Sequence, residues 1–329
     1  MKPITTFSKN IFIPLTNACH NNCAYCTYRS ESPTIMDRDS VLGLLKKGAV
    51  ARCTEALFTF GEKPEVYPEI KQRLEDWGYS TVIEYLHDLC LDAINLGLLP
   101  HSNPGSVTGR DLEMLRDVNA SMGLMLESSS RRLCEPGMAH EKSPGKHPRI
   151  RLRVLEEAGR LEIPFTTGVL IGIGETDSEV VDSLAAIREI NDRYGHIQEL
   201  IIQNFRPKPG TVMADLPEPS LERVISALET AKEMFPEIGL QVPPNLNPGR
   251  EGVFLRHGAN DFGGVSPITP DFVNPCDQWP TVERLQSIAA EQGFMLRERL
   301  PVYPKFLDLV PERLKTLAAS IASEDGFVR

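Results

Sequence analysis

Along the chain, short apolar runs alternate with stretches whose apolar residues recur at helical spacing, which is the rhythm of a βα protein. The runs at 11–15, 56–60, 98–101, 121–126, 165–171, 200–204, 240–242 and 259–262 predict eight strands. Between them, 40–51, 149–161, 178–192, 221–234 and 281–292 have the spacing of amphipathic helices. Strands joined through helices run parallel. The predicted fold is therefore α/β, a (βα)8 TIM-type barrel, with a doubly wound sheet as the alternative. The short third and seventh strands and the long connection 64–96 leave room for an irregular or incompletely closed barrel. Residues 1–329 read as one domain, with 296–329 as a C-terminal extension packed on it.

The unusual residues favour the barrel. They follow the strands in order at 17–26, 61–65, 102–105, Glu127, 172–175, 206–210, 243–250 and 263–267. In a parallel barrel these positions share the carboxyl-terminal rim, where ligands bind.

Composition narrows the class. With 41% apolar residues in 329 the chain can bury a large core, and 35 Lys plus Arg against 45 Asp plus Glu gives −10. That balance argues against a nucleic-acid partner, which needs a basic surface. No apolar run reaches the roughly 20 residues of a membrane span, and the start of the chain lacks a signal-peptide core, so a cytoplasmic location is expected. Three of the seven cysteines fall within eight residues, a ligand pattern rather than a disulfide framework.

Those three, Cys19, Cys23 and Cys26, form Cys-x3-Cys-x2-Cys directly after an apolar strand. Three thiolates on one loop can hold three corners of a cubane iron–sulfur cluster and leave the fourth iron open for chemistry. The competing reading is a structural zinc site completed by His20, Cys53, Cys90, Cys134 or Cys276. It is weaker, because no second Cys-x2-Cys exists and His20 adjoins Cys19.

The cysteine motif resembles that of the radical S-adenosylmethionine (SAM) superfamily. The resemblance implies a radical SAM barrel holding a 4Fe-4S cluster and S-adenosyl-L-methionine. It further implies that Tyr25 places its ring beside the adenine and that the Gly61-Glu62-Lys63-Pro64 turn holds the methionine amino group. Gly168 to Glu175 resembles the family's fifth-strand motif, which puts Gly172 near the adenine. Chemistry agrees at the turn: an ammonium needs a carboxylate or carbonyls, and Gly61 lets the backbone approach. Glu127, at the mouth of the fourth strand, suits ribose hydroxyls, with an N-cap or salt-bridge role as the alternative. Arg153 suits the SAM carboxylate and equally suits a solvated surface. A dinucleotide reading of Gly172-Ile173-Gly174 is weak, because Asp177 stands at the third glycine position.

Longer stretches, among them 57–65, 101–105, 143–148, 203–210 and 260–267, together resemble the CofG-type family of deazariboflavin synthases from about residue 7 to about residue 300. The resemblance implies a cyclising lyase that acts on a hydroxybenzyl–ribityliminouracil adduct in coenzyme F-420 biosynthesis. It also implies a functional partner of the CofH type that supplies the adduct, and a low-potential electron donor. His101, Asn103, Gln203, Asn204, Asn247 and Asp261 are the candidate contacts to uracil and ribityl oxygens, each with an alternative reading as a turn residue. Cys276 is a departure, a thiol where the family is expected to have a carboxylate. Two other readings stay open: the tyrosine-cleaving CofH-type enzyme or a menaquinone-pathway relative, and an iron–sulfur electron carrier.

Overall fold

The structure, a computed structural model, describes residues 2–329. Nine parallel strands form one sheet: β1 (Ile4–Ile13), β2 (Glu55–Thr59), β3 (Leu99–Asn103), β4 (Ser121–Gly123), β5 (Phe165–Ile171), β6 (Ile197–Asn204), β7 (Gly239–Gln241), β8 (Asp261–Val265) and β9 (Met295–Arg299). The first eight pair in chain order and β8 returns to β1, so the barrel closes. Its weakest seam is the single register pair Gln241↔Asp261 between β7 and β8.

Ten helices clothe the outside: α1 (Arg38–Val50), α2 (Pro68–Asp76), α3 (Val82–Asn95), α4 (Gly109–Arg116), α5 (Pro148–Arg160), α6 (Asp177–Tyr194), α7 (Leu221–Met234), α8 (Glu251–Arg256), α9 (Val282–Glu291) and α10 (Glu312–Ile321). Their starts are written locally. Thr176 and Glu179 form a capping box at α6, and Pro148 opens α5 behind the His147 cap. The long connection anticipated at 64–96 holds α2 and α3. Among the described residues no helix is long and apolar enough to cross a membrane.

Alternation along each strand separates the core from the bore. On β6, Leu200 and Ile202 are fully buried in the core shared with the helices, whereas Ile201 and Gln203 border the interior cavity. The amino-terminal end of the bore is filled. Arg299, brought in by β9 alongside β1, donates to Asp261 Oδ2 at 2.6 Å and Glu199 Oε1 at 2.8 Å, and the Tyr303 hydroxyl donates to Asp261 at 2.8 Å. The ninth strand and this plug were not anticipated from the sequence. They leave the carboxyl-terminal rim as the open end.

Candidate active site

The loops after the strands enclose a cavity of about 360 Å3, and of the seven cysteines only Cys19, Cys23 and Cys26 border it. Each of their sulfurs accepts a hydrogen bond. The Glu62 N–H donates to Cys19 Sγ at 3.3 Å, the Ser143 hydroxyl to Cys23 Sγ at 3.2 Å and the Tyr28 N–H to Cys26 Sγ at 3.4 Å. Burial pushes the Cys23 thiol up to about 11 and raises that of Cys19. A metal that displaces the protons makes these sulfurs thiolates. Among the described residues no three His, Cys, Asp or Glu side chains converge on one point, as a zinc tetrahedron requires. A cubane instead spreads its thiolates over separate irons, and the cysteine loop fits it.

The loop is held from both sides. Asn22 N–H donates to the Lys142 carbonyl and Ala24 N–H to that of Ala139, both at 2.9 Å, while Gly61 N–H donates to the Thr16 carbonyl at 2.8 Å. A Cβ on Gly61 would lie 2.0 Å from the Ala18 carbonyl oxygen, so only glycine lets the β2 turn come this close.

Two buried carboxylates stand beside the thiols. Glu62 accepts from Arg151 Nη2 at 3.2 Å and from the Ser106 hydroxyl. Burial would raise its carboxyl, but Arg151, Ser106 and Lys146 more than offset that and lower it. Glu127 accepts from Lys146 and the Tyr25 hydroxyl, and its Oε2 lies 3.1 Å from His140 Nε2. There too burial is overcome, by Lys146 and His140, and the carboxyl is held well below the usual range. Glu127 has φ 66°, left-handed for a residue with a side chain. Such a conformation costs roughly 1 to 3 kcal/mol and persists where the surroundings over-determine it, a pattern found at functional sites. Arg151 also donates to the carbonyls of Gly145 (3.0 Å) and Met125 (3.1 Å) and so joins the loops after β4 to the Glu62 turn.

The opposite wall comes from β6, β7 and the loop after β8. Gln203, Asn204, Lys208, Gln241, Asn245, Asp271 and Trp279 border the cavity. Lys208 is buried, and burial lowers its ammonium from the ordinary value. The loop after β8 is fastened over this side by Asn245 Nδ2 donating to Asp271 Oδ2 at 2.9 Å and Arg206 Nη2 donating to Asp277 Oδ1 at 3.0 Å.

Of the residues singled out from the sequence, Cys19, Cys23, Cys26, Tyr25, Gly61, Glu62, Glu127, Asn103, Gln203 and Asn204 meet at this cavity. The others do not. Arg153 is exposed on the outer face of α5, and Arg151 lines the cavity instead. Lys63 is exposed in a left-handed turn. Gly172 does not border the cavity; its N–H donates to Glu175 Oε1 at 2.7 Å. His101 sits below Gly123 with Nδ1 2.6 Å from Ser121 Oγ, and burial lowers its pKa to about 4. Asp261 belongs to the Arg299 plug. Asn247 ties the rim together, donating to Asn204 Oδ1 at 2.6 Å and the Pro243 carbonyl at 3.0 Å. Lys146, Lys208, Gln241, Asn245 and Trp279 were not among the candidates, although Lys208 and Asn245 lie in the rim segments 206–210 and 243–250; each stands alone in a polar or short segment. Cys276 is exposed and does not border the cavity.

Comparison with known proteins gives the family. The Radical SAM superfamily model matches residues 13–187. A 7,8-didemethyl-8-hydroxy-5-deazariboflavin synthase of Methanothermobacter thermautotrophicus is 53% identical over 304 residues, 92% of this chain and 92% of that one. The protein of that name from Methanopyrus kandleri is 47% identical over 99% of this chain and 100% of its own. Among solved structures, HydG, a maturase of the FeFe-hydrogenase, superposes with a TM-score of 0.73 at 16% identity, covering 96% of this chain and 69% of that one, which is a likeness of fold.

Proposed function

The chain belongs to the Radical SAM superfamily and, within it, to the family of 7,8-didemethyl-8-hydroxy-5-deazariboflavin synthases, and on that premise we propose that it closes the deazaflavin ring. The substrate is 5-amino-5-(4-hydroxybenzyl)-6-(D-ribitylimino)-5,6-dihydrouracil. Its conversion releases ammonia and consumes S-adenosylmethionine as the oxidant, giving methionine and 5′-deoxyadenosine, in coenzyme F-420 biosynthesis.

Cys19, Cys23 and Cys26 would hold a 4Fe-4S cluster, and Glu62, Glu127 and Tyr25, which border the same cavity, would bind S-adenosylmethionine. When bound, cluster and S-adenosylmethionine together supply one-electron abstraction of hydrogen from carbon or nitrogen. The chain supplies the rest. Arg151 and Lys146 keep the two carboxylates ionised and fixed, and Phe12, Leu57, Leu124 and Leu170 give the cavity its apolar lining. The observation that carries this reading is one cavity with two chemistries, three thiols beside paired carboxylates on one side and a wall of carboxamides, with Lys208 and Trp279, on the other.

The reading includes one domain over 1–329 with 296–329 packed on it, a CofH-type subunit that supplies the adduct, a low-potential electron donor and a cytoplasmic setting. Seven free cysteines support the last. With dithionite and S-adenosylmethionine, the anaerobically reconstituted protein alone should turn the adduct into a fluorescent deazaflavin with 5′-deoxyadenosine. Hydroxybenzyl transfer from free tyrosine, with no product from the adduct, would assign it to the partner's reaction instead.

A further inference from the structure

The wall formed by β6 and β7 has two half-buried carboxamides that bond to no other group of the protein. Gln203 and Gln241 both border the cavity, on neighbouring strands whose register pairs Ile201 with Gln241. Gln203 therefore stands two residues nearer the rim than Gln241, with both side chains directed into the bore. The polar neighbours on the same segments are engaged: Gln198 Nε2 donates to the Pro301 carbonyl at 3.0 Å, Asn204 Nδ2 to that of Leu246 at 3.4 Å, and Asn247 to Asn204. Neither Gln203 nor Gln241 has a side-chain partner among the described residues. Room for Gln241 is built in. Gly263, at φ 74°, faces it, and a Cβ there would lie 2.2 Å from Gln241 Nε2.

Two primary amides are an unusual lining for this depth of a barrel, because each brings two N–H donors and a carbonyl acceptor that packing leaves unused. No carboxylate or cation pairs with them, so they do not select an ion. They match a neutral ligand that offers donor and acceptor side by side on a rigid edge. Apolar surfaces from Leu57 and Ile201 border the same space and suit the faces of a flat ring. Unlike the two half-buried amides, the Asn245 Oδ1 and Trp279 Nε1 atoms are fully buried without partners.

We propose that Gln203 and Gln241 hold the pyrimidinedione ring of the substrate by its imide edge, carbonyl–NH–carbonyl, as specificity-determining residues that set the ring's depth and rotation below the cluster. This rests on the reading of the substrate given above. Each carboxamide donates to a ring carbonyl, and one accepts from the ring N3–H. The flexible ribityl chain then runs toward the Asn245 and Trp279 rim.

The test uses the reconstituted protein with S-adenosylmethionine and no reductant, titrated calorimetrically with 6-(D-ribitylamino)uracil and with its N3-methyl derivative. Wild type should prefer the N3–H probe by about tenfold, the effect of one lost hydrogen bond. Gln241→Leu and Gln203→Leu should each weaken binding of the N3–H probe about tenfold, and in at least one of them the preference over the methylated probe should vanish. Melting temperature and affinity for S-adenosylmethionine, both within error of wild type, identify variants that fold. Should the leucine substitutions unfold the chain, Gln241→Asn and Gln203→Asn give the same readout through a carboxamide one carbon too short. Unchanged binding, an N3–H preference that survives in both variants, or a wild type that binds neither probe overturns the proposal. The substrate reading fails separately, on whether wild type makes deazaflavin from the adduct.

Discussion

On the wall built by the connections after β1 to β4, the charged groups answer one another: Glu62 with Arg151 and Ser106, and Glu127 with Lys146, Tyr25 and His140. On the wall built by β6, β7 and the loop after β8, the Gln203 and Gln241 carboxamides and the Lys208 ammonium have no side-chain partner among the described residues, and behind them Asn245 Oδ1 and Trp279 Nε1 are buried without one. The first wall is finished before anything binds, with its carboxylates already ionised and in place. The second is completed by its ligand. A site for highly reactive chemistry gains from that division: the fixed half orients the reagent at no reorganisation cost, and the open half admits only a molecule that satisfies it.

The sharpest way to break the comparison is at the thiols. Cys19→Ala, Cys23→Ala or Cys26→Ala should abolish cleavage of S-adenosylmethionine and reduce bound iron and sulfide after reconstitution, whereas Cys53→Ala and Cys90→Ala should retain both. A full four-iron complement in the triple variant would remove the loop from the site.

Next comes the charged cradle. Removing one member of a buried ion pair leaves the other uncompensated, at about 3 to 5 kcal/mol. Arg151→Met and Glu127→Gln should therefore lower denaturant-measured stability by about that range and weaken S-adenosylmethionine binding. Arg153→Ala, two residues along α5 on the exposed face, should stay within about 0.5 kcal/mol of wild type.

On the open wall the expected effect is smaller than in the cradle and of opposite sign, and it belongs to Lys208. Its buried ammonium has no ion-pair partner, so Lys208→Met should not destabilise the fold and should gain about 1 kcal/mol. Burial lowers the Lys208 pKa below 10.5, so the unfolded chain binds the extra proton and wild-type stability rises as pH climbs toward 10.5. The gap to Lys208→Met should close over that interval in urea titrations, and a gap that widens would mean the ammonium is paired after all.

Legibility followed the range of the interaction. The strand at 165–171 and the helix at 221–234 agree with β5 and α7 end to end, because a continuous apolar run and a capped amphipathic period are local properties. The cysteine loop is local in the same way, with three ligands in eight residues after a strand. Helix phase was harder. Arg151 and Arg153 are equally basic and equally placed in the sequence, and the 3.6-residue period carries one inward and the other out only once α5 is docked. Depth was harder still. His101, Asp261 and Gln203 all lie on strands of the bore, yet His101 and Asp261 fall below the cavity floor and Gln203 above it. Strand register and the Arg299 plug from β9 set that floor, and both are pairings between segments far apart in the chain.

By itself the sequence determined the alternation of strands and helices and the gathering of three ligand-type side chains on one loop after a strand, since each follows from spacing within a few residues. Tertiary structure alone decided which charges neutralise one another, which amides are left free, and how deep the cavity runs. Those depend on the relative heights of strands whose contacts no local spacing encodes.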